Sequence, residues 1–335
     1  MANGEMMRSL VLEEIGPPDN LKVEQRPVPA PGDNEVLIKV ELAGLIYADA
    51  EARRGTYFSK TVLPWRPGRE AAGTIAALGK SVRGLEVGQR VAALVISEAC
   101  QAEYVLASTT MDAQNRAPAE ILPLPDQATY GQALVHLVNF RLAHMALHAW
   151  SSAGPDSRVL IHGASGGMGS VLTQLAHAHG CEVIVTCRNP EEVAFCRSNG
   201  ADHIIDIDEG DYVAAVMAVT GGRGVKVVFN GIGGHTINKD PAIIEPFGEL
   251  HLYGYVAGKP DLHPFEINRC LSLKTFSASD FFPTPAFATA TKALYDRLAS
   301  KEALDVTYVF PLEEAAKAHR LLDEGRVIGK IALKP

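Results

Sequence analysis

The spacing of apolar positions divides the chain into an early part of short strands and a later part in which strands alternate with helices. In the early part, apolar and β-branched residues form short runs between proline- and glycine-rich turns, and no helical period persists. The predicted strands are Arg8–Glu13, Glu35–Ala43, Gly73–Leu78, Arg90–Val95 and Ala102–Leu106. We therefore predict a mostly β domain that ends near the proline-rich segment Leu122–Pro125.

From about Gln132 onward, apolar strands alternate with helical segments. The predicted strands of this part are Arg158–His162, Glu182–Cys187, His203–Ile207, Val225–Phe229 and Glu249–Tyr253. The helix after the second strand begins at Asn189, followed by proline, which is typical of a helix N-terminus. Continuous apolar strands alternating with helices predict a parallel sheet covered on both faces. The predicted fold class is therefore α/β, with a doubly wound domain inserted into, or following, the mostly β domain.

Composition is that of an ordinary globular protein and disfavours several kinds of partner. The 335 residues, 47% hydrophobic and 21% charged, fit about two domains with sizeable cores. The formal net charge of −8 argues against binding to nucleic acid or to an anionic membrane surface. The most apolar stretch, Ala133–Trp150, contains His136, Asn139 and Arg141, so we expect no membrane-spanning helix.

The cysteines and the N-terminus bear on the compartment. Five scattered cysteines form no C-x-x-C pair, which indicates free thiols under reducing conditions. At the N-terminus, Glu13 and Glu14 interrupt the sequence before any apolar stretch of signal-peptide length is reached. We therefore expect a cytoplasmic protein.

Glycine is unevenly distributed and marks the segment with the most chemistry. Of the 30 glycines, 17 lie between Gly154 and Gly258. Glycine between a strand and a helix lets the backbone turn tightly, so that a pyrophosphate can bind the N–H groups at the helix start. The strand ending at His162 has this context, which predicts a dinucleotide site rather than only a tight turn. The predicted pyrophosphate-binding residues are Gly163, Ser165, Gly166, Gly167, Met168 and Gly169.

The end of the next strand distinguishes NAD from NADP. NAD sites place an acid there, about 20 residues after the glycines, to bind the ribose 2′-hydroxyl. Here Cys187, Arg188 and Asn189 follow one another without an acid, and Glu191 and Glu192 lie inside the next helix. Because guanidinium binds phosphate as a planar fork, Arg188 with Asn189 is predicted to hold the 2′-phosphate of NADP(H). The alternative for Arg188 is a solvated surface position.

Several segments, in order and spanning nearly the whole chain, carry a family resemblance. They are Pro27–Val40, Gly68–Gly73, Gly84–Val91, His162–Gly169, Asn199–Asp206, Thr220–Gly224 and Pro311–Pro335. Together they resemble the medium-chain dehydrogenase/reductase superfamily, specifically its zinc-independent quinone oxidoreductase branch. The resemblance implies a GroES-like catalytic domain over residues 1–127, a Rossmann NADP-binding domain over 128–267, and a return to the catalytic domain over 268–335. It also implies an active site in the cleft between the domains and a homodimer whose sheets extend through Leu271–Phe282.

The resemblance also bears on metal. In the zinc alcohol dehydrogenases of the superfamily, Cys and His ligands occupy the positions that here hold Ile46 and Arg69. Isoleucine has no donor atom and arginine does not lose its proton, so neither can bind zinc. His144 and His148 are spaced i, i+4, but Met145 stands where a zinc protease has its catalytic Glu. We predict packed or solvated histidines there, and no metal.

Without a metal, the resemblance implies hydride reduction of a small α,β-unsaturated carbonyl compound: an enone, an enoyl thioester or a quinone. Negative charge then develops on the carbonyl oxygen, where a donor must stabilise it. Tyr57 matches a tyrosine that often lines the family's quinone pocket, and Tyr47 replaces a usual Phe or Pro beside the cofactor. Both are predicted catalytic residues, with a wall of the pocket as the alternative role. Later strand ends, where the cofactor should cross the sheet edge, carry Gly231, Ile232, Gly254 and Tyr255.

Three departures from the family pattern leave the reaction open. Ile46 replaces an Asn beside the nicotinamide, Leu142 replaces a Thr that meets its carboxamide, and Glu51 replaces a frequent Tyr. A specialised enone or enoyl substrate fits these changes. A non-catalytic NADPH-binding protein fits them too, as does a redox-neutral enzyme such as a cyclase on the same scaffold.

Overall fold

The computed structural model describes residues 4–95, 99–111, 117–258, 267, 269–276 and 284–335. The chain forms two compact units. The β unit contains the chain up to Leu137 together with Tyr295–Pro335, and the Rossmann unit contains Val138–Leu294. A mostly β unit and a doubly wound α/β unit are the predicted architecture, so the predicted fold class is confirmed.

In the first part of the β unit, the described residues form seven strands and two α-helices. They are β1 (Met6–Leu12), β2 (Leu21–Pro27), β3 (Glu35–Leu45), α1 (Tyr47–Arg54), β4 (Glu70–Leu78), β5 (Arg90–Leu94), β6 (Tyr104–Ser108), β7 (Glu120–Pro123) and α2 (Tyr130–His136). β1 and β2 form an antiparallel ribbon, and β3 to β7 belong to the main sheet. Val36, Ile38 and Val40 alternate along β3 and are buried together with Ile75 and Val91 in one apolar cluster.

Helix α1 differs from the sequence prediction, which places no helix in this part of the chain. Its ends are set by capping and not by hydrophobic periodicity. The backbone N–H of Ile46 donates to Asp49 Oδ2 at 3.1 Å, and the helix ends at Gly55, whose φ of 72° is left-handed. Such capping by a short acid and a glycine defines a helix of two turns that leaves little periodic signal.

In the Rossmann unit, the residues that the structure describes form six strands and the α-helices between them. They are α3 (Asn139–Met145), β8 (Arg158–His162), α4 (Gly167–Ala178), β9 (Glu182–Cys187), α5 (Pro190–Ser198), β10 (His203–Asp206), α6 (Tyr212–Val219), β11 (Val225–Asn230), α7 (Thr236–Lys239), β12 (Ile244–Leu252), β13 (Ser272–Thr275) and α8 (Pro285–Leu298). All neighbouring strands are parallel, in the order β10-β9-β8-β11-β12-β13. The strand order therefore reverses between β8 and β11, where ligands of doubly wound sheets bind.

The chain returns to the β unit at Tyr295, in the last turn of α8. The remaining elements are β14 (Tyr308–Pro311), α9 (Ala315–Asp323) and β15 (Ile331–Lys334). β15 pairs with β3 antiparallel and with β14 parallel, so the C-terminus completes the main sheet. The predicted return of the chain to its first domain has this structural counterpart.

The units differ in extent from the predicted domains, whose boundaries stay a prediction. α2 lies after the predicted boundary at 127, yet it packs on β3, β4 and β5 and so belongs to the β unit. β13 lies after the predicted boundary at 267, yet it extends the parallel sheet of the Rossmann unit. The sequence pattern does not show on which sheet a single element packs. This packing places both unit limits away from the predicted domain boundaries.

Three expectations about assembly and location concern this fold. β13 covers part of the apolar run Leu271–Phe282, and residues 277–282 of that run lie outside the described residues. The homodimer therefore stays a prediction. All five cysteines are free, while the cytoplasmic location stays a prediction. Among the helices of the described residues, none has the length and apolar character needed to cross a membrane.

Candidate active site

The turn between β8 and α4 contains glycines whose backbone conformation or close approach disfavours a larger residue. Gly163 has a φ of 72°, which favours glycine, and its Cβ position lies 3.6 Å from the Ile232 side chain. A Cβ on Gly169 would lie 2.1 Å from the carbonyl oxygen of Gly163. α4 thus starts directly against the turn, and Gly166 before it has no side chain to cap it. The first N–H groups of α4 have no acceptor within the helix, so the turn fits an anion such as pyrophosphate.

A buried polar cluster lies at the carboxyl ends of β8, β9 and β11. We call it the His162 cluster, and its members are His162, Thr186, Tyr212, Asn230, Thr236 and Asp240. His162 Nδ1 lies 2.9 Å from Thr186 Oγ1, and His162 Nε2 lies 2.9 Å from Asp240 Oδ1. Because a carboxylate only accepts hydrogen bonds, His162 Nε2 donates to Asp240.

Asp240 is the centre of this cluster. Besides His162, it accepts hydrogen bonds from the Tyr212 hydroxyl at 2.9 Å and from Asn230 Nδ2 at 2.6 Å. The burial of Tyr212, and then the charge of Asp240, raise the pKa of the Tyr212 hydroxyl, which therefore stays a donor. Three donors on one carboxylate offset the cost of burying it. Asp240 therefore fixes side chains from β8, α6 and β11 relative to one another.

The loop after β11 depends on Asn230. Its Oδ1 accepts hydrogen bonds from the backbone N–H groups of Ile232 at 2.9 Å and Gly233 at 2.8 Å. On the neighbouring strand end, a Cβ on Gly254 would lie 2.3 Å from Gly231 O, so these two predicted residues touch through their backbones. Gly231, Ile232 and Gly254 are thus brought to one sheet edge beside Gly163. Tyr255 follows directly and accepts the Gly258 N–H through its carbonyl oxygen at 2.9 Å.

The end of β9 holds Arg188 and Asn189, and here the structure adds an acid. Asn189 caps α5, since its Oδ1 accepts the Glu192 N–H at 2.9 Å. The Glu192 side chain turns back toward the strand: its Oε2 accepts the Arg188 N–H at 3.0 Å and its Oε1 accepts from Arg188 Nη2 at 2.9 Å. The sequence reasoning leaves Glu192 inside the helix and away from the strand end. The Glu192 side chain is only 4% exposed, and its carboxylate binds Arg188, the residue predicted to hold the 2′-phosphate.

In the β unit, Tyr57 lies against Arg69. Arg69 Nη1 donates a hydrogen bond to the Tyr57 hydroxyl oxygen at 2.8 Å, and the guanidinium carbon lies 4.7 Å from the ring centroid. The neighbouring residue Glu70 is buried and forms an ion pair with the buried Lys330. The start of β4 is thereby tied to the chain just before β15. An arginine at the position of a zinc ligand in the family thus contacts the first predicted catalytic tyrosine.

Tyr47, the second predicted catalytic residue, begins α1. The Arg54 guanidinium carbon lies 5.2 Å from its ring centroid, two turns further along the same face of α1. Tyr47 and Tyr57 thus each have an arginine beside the ring. Their roles stay a prediction.

The histidines that could suggest a metal form a cluster in the Rossmann unit. The ring centroids of His144 and His148 are 4.6 Å apart, and His179 lies 4.8 Å from His148. Burial, with the charges of the two neighbours, lowers the pKa of His148 to about 4. Within the described part of the chain, no group of three or more His, Cys, Asp or Glu side chains is arranged to hold a metal ion. Zinc independence stays a prediction.

Sequence reasoning misses most of the His162 cluster and the role of Glu192. His162 appears in the glycine motif only as the last strand residue, and Asn230 only precedes a predicted cofactor residue. One signal could find them, because polar residues at the carboxyl ends of otherwise apolar parallel strands cluster at one sheet edge. His162, Thr186 and Asn230 all have this position.

Comparisons with known proteins agree with this architecture. The model of the alcohol dehydrogenase GroES-like domain matches residues 32–119, and that of the zinc-binding dehydrogenase family matches residues 167–294. Rat quinone oxidoreductase is 29% identical over 342 residues, which cover 99% of each chain.

Solved structures extend the similarity to the whole fold. A mycobacterial quinone oxidoreductase is 30% identical, with a TM-score of 0.80 over 98% of this chain and 100% of that one. A mycobacterial protein solved in complex with NADPH is 29% identical, with a TM-score of 0.86 over the same shares. The chain therefore belongs to the quinone oxidoreductase branch of the medium-chain dehydrogenase/reductase superfamily. This membership confirms the predicted family and the predicted enzyme class, an oxidoreductase of an NADP-binding family.

Proposed function

We propose that this chain is an NADPH-dependent reductase of α,β-unsaturated carbonyl compounds, with an enone, an enoyl thioester or a quinone as its substrate. The observation that carries the proposal is the glycine turn between β8 and α4, at the point where the strand order of the Rossmann unit reverses. Ligands of doubly wound sheets bind at such a point. Membership of the quinone oxidoreductase branch supports the reaction class.

The cofactor half of the site is proposed on the Rossmann unit. Gly163, Ser165, Gly166, Gly167, Met168 and Gly169 would hold the pyrophosphate, with Arg188 and Asn189 at the 2′-phosphate. Gly231, Ile232, Gly254 and Tyr255 would line the sheet edge beyond them. The His162 cluster keeps that edge in one arrangement, because Asn230 holds the N–H groups of Ile232 and Gly233. When bound, NADPH supplies a hydride for the β-carbon of the substrate.

The catalytic half is proposed on the β unit, with Tyr57 as the donor to the substrate carbonyl oxygen. Arg69 already donates to the Tyr57 oxygen, so the hydroxyl proton is left to point at a second acceptor. A positive charge behind the hydroxyl strengthens its donation to an oxygen on which negative charge develops. Tyr47 is proposed as a second polar wall of the pocket.

The direct test follows NADPH absorbance during incubation with an enone, an enoyl thioester and a quinone. We expect oxidation of NADPH with at least one of these substrate classes. Arg188→Ala should weaken NADPH binding far more than NADH binding, because it removes the fork for the 2′-phosphate. Tight NADPH binding without turnover of any substrate class would contradict the proposal and favour a non-catalytic NADPH-binding protein.

Tyr57→Phe tests the donor with little change of shape. We expect kcat to fall about a hundredfold, as for loss of an oxyanion donor, with the Kd of NADPH unchanged. Tyr308→Phe is the matched control, because Tyr308 borders the same apolar cluster as Tyr57. If Arg69 acts through Tyr57, then Arg69→Gln lowers kcat in the wild type but not in the Tyr57→Phe background. Equal losses in Tyr57→Phe and Tyr308→Phe would contradict the donor role.

A homodimer is the proposed assembly. Among the strands of the described residues, β13 lies at one edge of the Rossmann sheet and pairs with β12. An edge strand of this kind can pair with a second copy. Light scattering at micromolar concentration should give twice the 35.9 kDa of one chain, and a monomer would contradict the proposal.

A further inference from the structure

At the end of β9, a buried acid pairs with the arginine that is predicted to bind the 2′-phosphate. The Glu192 carboxylate accepts hydrogen bonds from Arg188 Nη2 and from the Arg188 backbone N–H. Asp206 is the register partner of Cys187 across the β9–β10 pair. The carboxylates of Glu192 and Asp206 both act on the Cys187 thiol, whose pKa is raised first by its hydrogen bond to Cys196 and by burial and then by these charges. Glu192 therefore sets a buried carboxylate directly against the arginine that is predicted to meet the 2′-phosphate.

The position of Glu192 is fixed by the chain around it. Its N–H is capped by Asn189, and its side chain is 4% exposed, against 44% for the Arg188 side chain. The carboxylate therefore cannot withdraw into solvent, whereas Arg188 can move its outer part. A capping role explains the contact of Oε2 with the Arg188 N–H, but not the second contact of Oε1 with the guanidinium.

We propose that Glu192 is a specificity-determining residue of the cofactor site, which weakens the preference for NADPH over NADH and lets the chain bind both. A 2′-phosphate must draw Arg188 from Glu192 or share it, and in either case it faces a buried carboxylate. The 2′-hydroxyl of NADH is a donor, and a carboxylate at the end of this strand is what it ordinarily meets. This inference rests on the proposed NADP(H) function and identifies Glu192 as the charge that opposes the 2′-phosphate in the same site.

The experiment measures binding and not turnover, so it is independent of the hydride chemistry. The probes are adenosine 2′,5′-bisphosphate and AMP, which differ in the 2′-phosphate alone, titrated calorimetrically into the whole chain. In the wild type we expect their Kd values to lie within about tenfold of each other, since one guanidinium is offset by carboxylates at short range. A preference for the bisphosphate of more than about a thousandfold would overturn the proposal.

Glu192→Gln removes the charge and keeps a side-chain oxygen for the Arg188 N–H. We expect it to tighten the bisphosphate about tenfold and to leave AMP within about twofold. Glu191→Gln is the matched control, because it removes the same charge from the exposed neighbouring position of the same helix turn. It should leave the ratio of the two Kd values within about twofold.

The outcomes separate this inference from the proposed function. If Arg188→Ala removes the preference for the bisphosphate and Glu192→Gln leaves the ratio unchanged or weakens the bisphosphate, the role of Glu192 alone is overturned. If Arg188→Ala also leaves the ratio unchanged, both the role of Glu192 and the proposed 2′-phosphate site are overturned. A loss of helix capping alone would change the stability of the variant and not the ratio of its Kd values.

Discussion

Two fully buried histidines, one in each unit, show two ways in which this chain removes polar groups from water. His162 in the Rossmann unit has partners at 2.9 Å from both ring nitrogens. His319, on α9 of the β unit, is equally buried, yet neither ring nitrogen has a hydrogen-bond partner among the described atoms. Burial, with the charges of Arg53 and Arg54, lowers the pKa of His319 to about 3.

A buried polar group contributes differently to the structure when its hydrogen-bond partners are complete and when they are absent. A group with complete partners carries geometric information: His162 and Asp240 hold the carboxyl ends of several strands, and through Asn230 a backbone loop, in one arrangement. A group without partners holds no other element in place; its burial costs free energy and disfavours its charged form. We therefore expect disruption of the His162 cluster to damage the cofactor edge, and replacement of His319 to change the stability and its pH dependence without moving that edge.

The largest effect is expected from Asp240→Ala, which removes the central carboxylate of the His162 cluster. The change leaves His162, Tyr212 and Asn230 without their shared acceptor, so the free energy of unfolding should fall by about 3 to 5 kcal/mol. Urea denaturation measures it. Asp208→Ala, at an exposed position, is the control and should cost less than about 0.5 kcal/mol. A loss below about 1 kcal/mol for Asp240→Ala would show that the cluster is not the organising element.

A smaller effect is expected from Gly169→Ala, which disturbs the same edge through the backbone. The added Cβ would lie 2.1 Å from Gly163 O, so the turn must shift, at a cost of about 2 kcal/mol. NADPH affinity, measured by fluorescence titration, should fall with it. Gly154→Ala adds the same group where nothing lies within 4 Å. Equal NADPH affinities for the two variants would contradict the role of the turn.

At neutral pH the smallest effect is expected from His319→Leu, and its signature is a dependence on pH that grows as the pH falls. His319 has a pKa of about 3 when folded and 6.5 as an unperturbed side chain. Between these values the unfolded chain binds the extra proton, so His319 lowers the stability as the pH falls, by about 1.4 kcal/mol per pH unit. The variant should lose this slope below pH 6.5.

The wild-type slope will not vanish entirely in His319→Leu. His136 and His148 also have pKa values lowered to about 4 by burial, and both remain. The measurement is therefore the difference between the urea denaturation free energies of the two proteins at several pH values from 6.5 downward. A difference that stays constant over this range would contradict the assignment to His319.

The same contrast explains how much the sequence could predict. The glycine turn is contiguous, and its strand and helix flank it directly, so Gly163 to Gly169 could be predicted. The His162 cluster joins residues as far apart as His162 and Asp240, which only the parallel strand order brings together. The sequence pattern places Glu192 in the correct helix, but the contact of Glu192 with Arg188 depends on how Asn189 caps that helix. Contacts that need a tertiary arrangement or a side-chain direction leave no local pattern to read.

The most direct test of hydride transfer uses NADPH deuterated at its transferable position together with the enone or enoyl thioester that is turned over. We expect mass spectrometry to find one deuterium in the product, on the β-carbon. For a quinone, whose hydroquinone hydroxyl groups exchange with water, the readout is instead one NADPH oxidised for each quinone reduced. Tyr57→Phe should slow product formation about a hundredfold. An enone or enoyl thioester converted without deuterium in the product, or NADPH bound tightly and never oxidised, would contradict the assignment of this chain as a hydride-transferring reductase.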